Sequence, residues 1–469
     1  MVLVETGSHE SFPLRRGASP IVLEEEGFQH PGSPRGRGPS FTRYADLTHV
    51  VATPRALWVG ARRSVVPLVR PLFVDPGGPE RLEAALLARV ARLPGGAEQL
   101  ERMRELDAMA HESRRPLATW VLAGACLAVF SLQLLLGPEL FEVGYFSAAL
   151  VADGDLWRTF TAGLLHGSPL HLIVNLVGLF FFGSLVERAL GTARVVCVMA
   201  AAEIGSMTAS AVAGDGGVVG VSGVLAGTVG ALLFLELFRR DQIPAWWRLP
   251  RRLLLMLIIL IPLQALLDMN IPLIAGEAHI GGFVAGIVTA ALLTRRGRLS
   301  AAAPAGVRAA AAAAAMASLV SLGAAAAALL VPDDFLAEHA ERLARLPGMT
   351  PQELNNYAWL IAIKPESTRE QLEAALLLAQ RAVAETQRRD PTLLDTLAEV
   401  QFQLGRPELA LPIIDEAIAR APGEAYYREQ RRRFTGERSP ADRPPDPVLP
   451  WGVDPGRPPL PPDDHGVTV

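Results

Sequence analysis

A serine and a histidine lie at the start of two apolar, glycine-rich stretches of the chain. Ser222 belongs to the motif GVSG at 220–223, and His279 belongs to the motif AHIGG at 278–282. Both stretches are predicted to enter a membrane from the same side, so the two side chains are expected at a similar depth. A serine hydroxyl beside an imidazole is the minimum requirement for nucleophilic acyl transfer. The neighbouring glycines would let the two helices approach closely enough for a hydrogen bond between these side chains.

Three further polar residues, His166, His171 and Asn175, lie around the start of another apolar stretch. His171 and Asn175 are four positions apart, so they share one face of a helix near the membrane surface. Peptide hydrolysis builds negative charge on the carbonyl oxygen, and each fixed hydrogen-bond donor there typically contributes about 3–4 kcal/mol. A histidine N–H, an asparagine amide and the backbone N–H of Ser222 would form such an oxyanion hole.

The same histidines allow a second interpretation, a metal site formed by His166, His171 and a carboxylate. No third ligand stands at the right depth, and the sequence contains no HExxH motif. Cys126 and Cys197 both fall inside apolar runs, which excludes a disulfide framework and a thiolate metal cage. We therefore expect neither a metal nor a cofactor. The formal net charge of -4 favours no particular partner, and we expect no binding of nucleic acid.

Seven apolar stretches are predicted to be the helices that position these groups. Hydrophobic residues make up 50% of the 469 positions and charged residues only 20%, which is typical of a polytopic membrane protein. Polar side chains inside such spans are costly and are functional candidates; here they are His171, Asn175, Glu203, Ser222, Gln264 and His279. The predicted spans are 117–136, 170–186, 195–213, 221–238, 253–269, 278–294 and 309–331.

The distribution of arginine predicts the orientation of these spans. Thirteen arginines flank the spans on one side, and only Arg158 lies on the other side before the seventh span. Positively charged loops stay in the cytoplasm, so the N-terminus is expected there, and the segments 137–169, 214–220 and 270–277 face outward. No basic region followed by an apolar one opens the chain, so the first span is expected to act as the insertion signal. The thirteen are Arg114, Arg115, Arg188, Arg194, Arg239, Arg240, Arg248, Arg251, Arg252, Arg295, Arg296, Arg298 and Arg308.

Charged regions flank the spans on both sides. Residues 1–40 are rich in glycine, proline and arginine and are predicted to be disordered, and residues 41–112 are predicted to form a cytoplasmic α+β region with one helix near 79–93. The seventh span lies within 306–331. Because that span is mostly alanine, its crossing depends on a few leucines and valines. If it crosses, everything after it lies outside the cytoplasm.

The region 345–436 has the pattern of tetratricopeptide helical hairpins. Two copies are present, which is fewer than the three that usually make a stable solenoid, so flanking helices must cap them. Such repeats could bind a protein partner or serve as a structural appendage. The tail 437–469 is predicted to be disordered. In the second copy, the positions that pack the two helices of the 34-residue repeat are Leu394, Leu397, Ala398, Ala410, Ile414, Ala417 and Pro422.

Taken in order, these motifs resemble the rhomboid family of intramembrane serine proteases. The resemblance covers about 115–295. It implies an all-α polytopic membrane protein with a six-helix core at 115–295 and an added seventh transmembrane helix, flanked by a small α+β region and a helical-repeat region. The residues that carry it are Trp157, Arg158, His166, His171, Asn175, Glu187, Arg188, Gly220, Ser222, Gly223, Ala278, His279, Gly281, Gly282 and Gly286.

The resemblance also implies roles for these residues. Ser222 and His279 would form a catalytic dyad without an acidic third member, and His171 and Asn175 would complete the oxyanion hole. Structural support would come from Trp157, Arg158, His166, Glu187, Gly220, Gly223, Gly281 and Gly282. Substrates would be single-pass transmembrane proteins in the lipid bilayer, with the fifth span as a lateral gate. The expected location is the inner membrane of a bacterial cell.

One position departs from the family pattern. Members usually carry an aromatic residue four positions after the nucleophile, where this chain has Ala226. Phe283 is the candidate that would hold the imidazole ring of His279 instead. Two other classes remain open: an inactive relative that binds transmembrane helices, which Ala226 favours, and a transporter or channel. The second would need a polar path through the bilayer, whereas the polar residues gather on one side.

Overall fold

The chain folds into a helical bundle with a small β region before it and a helical region after it. Helices account for most of the described chain, and within that part strands occur only before the bundle. The computed structural model describes residues 10–15, 17–31, 39–62, 64–111, 115–214, 217–244, 247–268, 276–295, 297–330, 334–365, 367–441 and 443–444. Residues 270–275 of the predicted outward segment 270–277, and residues 445–469 of the predicted disordered tail 437–469, lie outside the described residues.

The N-terminal region, residues 10–111, contains two antiparallel sheets. One has the strand order β1-β2-β3-β4 and the other β5-β6-β7. The strands are β1 (Ser11–Phe12), β2 (Ile21–Leu23), β3 (Gly27–Pro31), β4 (Pro39–Arg43), β5 (Leu47–Ala52), β6 (Ala56–Ala61) and β7 (Val65–Val69).

The prediction of disorder up to residue 40 is wrong for the described residues 10–31. Ile21, Leu23 and Phe28 are buried in the core of this region. Ile21 and Leu23 are two positions apart, so they point to the same face of β2. The composition averaged over 40 residues hides these short strands, because glycine, proline and arginine dominate the segments between them.

Two helices follow the sheets where the sequence predicted one near 79–93. Helix α1 (Gly78–Ala91) buries Leu82, Leu86 and Val90, which are spaced by four along one face. Helix α2 (Gly96–His111) is richer in charged residues, so its apolar face is hard to recognise in the sequence. Gln99 of α2 donates hydrogen bonds of 2.8 Å to two backbone carbonyls of the sheet region, which anchors this helix.

The seven predicted spans are all helices at their predicted places. Five helices are long and apolar enough to cross a membrane: Leu117–Leu136, Pro169–Leu190, Thr192–Ala213, Gly276–Thr294 and Ala305–Leu329. Ser222–Phe238 is apolar but shorter, and Arg251–Asp268 is apolar between charged ends. The protein is therefore a multi-pass integral membrane protein. From the third helix on, the helices of the bundle and its loops are α3 (Leu117–Leu136), α4 (Pro138–Gly144), α5 (Ala148–Ala152), α6 (Arg158–Thr161), α7 (Pro169–Leu190), α8 (Thr192–Ala213), α9 (Ser222–Phe238), α10 (Arg251–Asp268), α11 (Gly276–Thr294) and α12 (Ala305–Leu329).

Glycines bring α9 and α11 into backbone contact. A Cβ built on Gly282 would lie 2.1 Å from the carbonyl oxygen of Gly223, and one on Gly286 would lie 2.0 Å from that of Gly227. Real Cβ atoms do not approach carbonyl oxygens this closely, so each position requires a glycine at this helix separation. The predicted close approach of the two helices is confirmed. It places the first turns of α9 and α11 side by side.

The C-terminal helical region, residues 334–444, consists of successive helices that pack on their neighbours. Helices α14 and α15 pack together, as do α16 and α17, while α13 and α18 pack at the two ends. The predicted packing residues of the second hairpin, such as Leu394, Ala410 and Ile414, are buried. The assignment to tetratricopeptide repeats stays a prediction. The helices are α13 (Asp334–Arg345), α14 (Pro351–Ile363), α15 (Arg369–Glu385), α16 (Pro391–Gln403), α17 (Pro407–Arg420) and α18 (Ala425–Phe434).

The two flanking regions contact opposite ends of the bundle. Arg248, in the loop after α9, donates hydrogen bonds of 2.8 Å to the carbonyl of Ala61 and to the hydroxyl of Thr48 in the N-terminal region. At the other end, Arg342 of α13 forms an ion pair with Asp153 in the loop between α3 and α7. Helix α12 therefore leads from the first end of the bundle to the second.

Candidate active site

The first turns of α9 and α11 bring the predicted nucleophile and base together. Ser222 is the first residue of α9, and His279 lies in the first turn of α11. The Nε2 atom of His279 is 2.9 Å from the Oγ atom of Ser222, which is hydrogen-bonding distance. The neighbouring Gly223 lets α9 pack closely on α8, because a Cβ at that position would lie 2.1 Å from the hydroxyl of Ser206. At the distance between Ser222 and His279, a proton can pass from the serine hydroxyl to the imidazole.

His171 and Asn175 lie against the residue two positions before Ser222. A Cβ built on Gly220 would lie 2.9 Å from Nε2 of His171 and 3.5 Å from Nδ2 of Asn175. Gly220 has φ +108, a backbone conformation that other residues rarely adopt, so glycine is required here for two reasons. The Asn175 side chain is buried, and its Nδ2 atom has no hydrogen-bond partner among the described residues. The structure thus gathers two potential N–H donors beside the serine.

His166 supports this group from the loop before α7. Gln133 of α3 bonds the His166 backbone twice: its side chain accepts from the N–H and donates to the carbonyl, both at 3.1 Å. The ring centroids of His166 and His171 are 5.0 Å apart. Burial, reinforced by the nearby His171, lowers the pKa of His166 to about 4, so this imidazole is neutral at pH 7. Gln133 was missed in the sequence, although a lone glutamine in an apolar span is itself a signal.

The alternative metal site finds no support in the arrangement of side chains. Among the residues that the structure describes, no group of three or more His, Cys, Asp or Glu side chains is placed to hold an ion. His166 turns its Nδ1 toward the carbonyl of Leu164 at 3.3 Å.

The predicted pair Trp157 and Arg158 organises the loop between α3 and α7, named here the first loop (residues 137–168). Arg158 is buried and donates to the Asp155 carboxylate at 2.9 Å and to the carbonyls of Glu142 and Tyr145 at 2.7 and 3.1 Å. Trp157 donates from Nε1 to another carbonyl of the same loop at 3.1 Å. Asp155 and Tyr145 were not identified in the sequence, because loop residues far from a motif carry no periodic signal.

The first loop is bonded to the segment that leads into Ser222, residues 217–221, named here the nucleophile loop. Phe146 and Val218 exchange two backbone hydrogen bonds of 3.0 Å. The N–H of Gly220 donates to the carbonyl of Ala162 at 2.9 Å. The position of Ser222 is therefore set in part by the first loop, and not by α9 alone.

Glu187 lies at the other end of the bundle and caps α3. Its carboxylate accepts hydrogen bonds from the backbone N–H groups of Ala118 and Thr119, both at 2.9 Å. The hydroxyls of Thr119 and Thr192 donate to it at 2.8 Å. A carboxylate at a helix N-terminus satisfies otherwise unpaired N–H groups and is favoured by the helix dipole. This geometry agrees with the structural role predicted for Glu187.

Position 226 holds a half-buried alanine on α9, one turn after Ser222. Phe283, the residue expected to replace the missing aromatic ring, lies one turn after His279. Its carbonyl oxygen would be 2.4 Å from a Cβ on Gly230, so the backbone of α11 packs directly on α9 here. Support of the imidazole by the Phe283 ring stays a prediction.

The chain matches the family model of the Rhomboid domain over residues 153–296. That range contains Ser222, His279, His171 and Asn175, together with the helices that position them. It ends before α12 and excludes both flanking regions. The match therefore concerns the part of the chain in which the serine and the histidine meet.

Several curated proteins are similar to this chain. It is 28% identical over 198 residues to the rhomboid protease GluP of Bacillus subtilis, covering 41% of this chain and 38% of that protein. It is 31% identical over 171 residues to RHOMBOID-like protein 5 of Arabidopsis thaliana, covering 35% of this chain and 53% of that protein. With the putative rhomboid protease YdcA of Bacillus subtilis the identity is 31% over 150 residues, 31% of this chain and 71% of that protein. The site geometry and these similarities together show that the chain belongs to the rhomboid family.

Proposed function

We propose that the protein is an intramembrane serine endopeptidase that cuts transmembrane segments, with Ser222 as the nucleophile and His279 as its base. The observation that carries the proposal is the 2.9 Å distance between Nε2 of His279 and Oγ of Ser222. Both residues lie in the first turns of membrane helices, and glycines keep the backbones of these helices in contact. A serine and an imidazole held in this way suit acyl transfer.

In the proposed mechanism, His279 takes the hydroxyl proton as Ser222 attacks the scissile carbonyl. The oxyanion that forms would accept hydrogen bonds from the His171 ring, the Asn175 amide and the backbone N–H of Ser222. The intermediate collapses when His279 gives its proton to the leaving amine of the C-terminal fragment, which leaves the N-terminal fragment bound to Ser222 as an ester through its new terminal carbonyl. Water, activated by His279, then hydrolyses this ester and restores the serine.

The substrates that fit this site are single-pass transmembrane proteins with a helix-breaking segment near one face of the membrane. Ser222 lies at the start of α9, so cleavage would occur near the surface and not at the bilayer centre. Helix α10 is the proposed lateral gate, because many of its apolar side chains, such as Leu255 and Ile259, are exposed and lack packing against the bundle. The arginine distribution and the contact between α13 and the first loop support a site that faces outward.

An inactive relative that binds transmembrane helices without cutting them is the second candidate. Ala226 is the residue that favours it, because the ring expected at that position is missing. The two candidates differ in one property, the reactivity of the Ser222 hydroxyl. An active enzyme reacts with a serine-directed fluorophosphonate, whereas a binding protein does not.

Co-expression with a rhomboid-cleavable membrane reporter tests the proposal. We expect cleavage by the wild type and none above background by Ser222→Ala or His279→Ala. Ser131→Ala is the matched control, since the Ser131 hydroxyl is exposed on α3 and donates to the carbonyl of Leu127 within its own helix. A fluorophosphonate should label the wild type and Ser131→Ala but not Ser222→Ala. Equal cleavage by all four proteins would refute the dyad, and an unlabelled wild type would favour the inactive relative.

A further inference from the structure

A buried tyrosine pair joins the C-terminal helical region to the first loop. Tyr357 of α14 and Tyr145 of the first loop are both 4% exposed, and their ring centroids are 6.4 Å apart. The Tyr357 hydroxyl donates to the carbonyl of Glu142 at 3.4 Å. One apolar cluster contains both tyrosines, with Leu150 and Leu165 from the bundle side and other members from the C-terminal region. The C-terminal helical region and the first loop therefore share a packed apolar core at this contact.

Tyr145 also contacts the nucleophile loop. A Cβ built on Gly217 would lie 2.7 Å from Cδ2 of the Tyr145 ring, so the ring lies directly on the backbone there. The next residue along the first loop, Phe146, exchanges two backbone hydrogen bonds with Val218. Val219 packs against the same apolar cluster as the tyrosine pair. Contacts thus run without interruption from Tyr357 through Tyr145 to the residues immediately before Ser222.

We propose that Tyr357 is a positioning residue for Ser222, acting through Tyr145 on the nucleophile loop. The inference rests on the proposed function and adds that the C-terminal helical region is part of the catalytic unit. The nucleophile loop has no helix or strand of its own beyond the bridge at Val218, so the groups packed against it determine its position. Loss of the Tyr357 ring leaves a cavity behind Tyr145, into which Tyr145 and the bonded loop can shift. Both the Ser222 hydroxyl and its backbone N–H then move.

Hydrogen exchange tests this coupling without any need for activity. Full-length protein carrying Ser222→Ala is compared in detergent with and without Tyr357→Ala, and amide exchange is followed by mass spectrometry over residues 217–221. We expect exchange in this loop to become about tenfold faster. The matched control is Tyr427→Ala, because Tyr427 is 6% exposed in the same region but packs on Tyr426 of α18. That variant should leave exchange at 217–221 unchanged.

Activity gives the second measurement, in protein that retains Ser222. A misplacement of about 1 Å can lower a rate by up to about 10²-fold, so we expect Tyr357→Ala to lower kcat about tenfold at an unchanged KM. Tyr357→Phe retains the ring and should restore both kcat and slow loop exchange. Tyr357→Leu replaces the ring with a smaller apolar side chain, and it decides the question if Tyr357→Ala unfolds the C-terminal region.

The outcomes separate this inference from the proposed function. Unchanged exchange at 217–221 in a folded Tyr357→Ala or Tyr357→Leu protein would overturn the positioning role. Equal acceleration by Tyr427→Ala would also overturn it, since the effect would then be a general loss of stability. A wild type that neither cleaves nor reacts with a fluorophosphonate would refute the protease, while the exchange experiment would still show whether Tyr357 controls the loop.

Discussion

At the scale of single residues, Asn175 is a buried side chain whose amide nitrogen lacks a hydrogen-bond partner among the described residues. A buried polar group without a partner costs about 1–3 kcal/mol, so most are satisfied within the protein. The Asn175 amide nitrogen is buried, has no partner among the described residues, and lies close to Gly220. The cost is understandable if the amide donates to an oxyanion that exists only during the reaction.

Replacing Asn175 with alanine should lower kcat by about 10²–10³-fold, because one oxyanion donor is lost. KM should change little, since the interaction forms mainly in the transition state. Purified protein and a fluorogenic transmembrane peptide provide the measurement. Thr208→Ala is the control, because the Thr208 hydroxyl is exposed and bonds the carbonyl of Ile204 in its own helix. An Asn175→Ala protein with wild-type kcat would remove this residue from the mechanism.

At the scale of elements, the contact between α9 and α11 depends on the absence of side chains. Cβ atoms on Gly282 and Gly286 of α11 would fall on the carbonyl oxygens of Gly223 and Gly227 of α9. Backbone atoms cannot move aside as a flexible side chain can. Any larger residue must therefore push the helices apart and increase the distance between Ser222 and His279.

Gly286→Ala should destabilise the bundle and abolish labelling of Ser222 by a fluorophosphonate. The added methyl group would lie 2.0 Å from the Gly227 carbonyl oxygen, and overpacking of this kind costs about 1–3 kcal/mol or more. Gly306→Ala is the matched control on α12, where a Cβ meets nothing within 4 Å. Thermal unfolding in detergent compares the two variants. Equal midpoints for both would mean that the helices adjust without cost.

At the scale of the whole molecule, a buried carboxyl group lies where the C-terminal helical region contacts the first loop. Glu142 is buried, and neither carboxylate oxygen has a hydrogen-bond partner among the described residues. Burial raises the pKa of Glu142 from 4.5 to about 8; Arg158 opposes the shift and Glu353 of α14 adds to it. Tyr145, Asp155 and Tyr357 are the other titratable groups of this contact. Glu142 is therefore protonated at pH 7 while the two parts are packed together.

The contact should weaken as pH rises. The packed state holds a proton on Glu142 up to about pH 8, whereas a separated state with an ordinary pKa releases it near 4.5. The contribution of Glu142 to the stability of this contact is therefore fully present below pH 4.5. It declines as the pH rises to about 8, beyond which this group adds no further change. Limited proteolysis of the C-terminal region between pH 5 and pH 9 provides the measurement.

Glu142→Gln keeps the size of the side chain and removes its titration. Cleavage of the C-terminal region by the added protease should therefore lose most of its dependence on pH. Glu139→Gln is the control, because Glu139 lies on the exposed side of the same short helix, α4. A pH dependence that persists in Glu142→Gln would assign the effect to another group of the contact.

Much of this protein could be predicted from the order of its residues alone. Runs of apolar side chains long enough to span a bilayer predict helices wherever they occur, so the seven helices of the bundle were found at their places. Ser222, His279, His171 and Asn175 could be singled out because a polar group in such a run is rare and costly. Periodicity was less informative in the N-terminal region, where β1 to β3 are short and α2 is rich in charge.

Only the tertiary structure decided how Ser222 is held in place. The contacts of Gly217, Val218 and Gly220 are made with residues far away in the sequence, on the first loop, and no local pattern predicts such pairs. The same is true of Tyr145 and Tyr357, which are separated by more than 200 positions. Apolar runs and polar exceptions within them are local properties of a chain. The packing that brings a serine, its base and a distant helical region together depends on the folded shape.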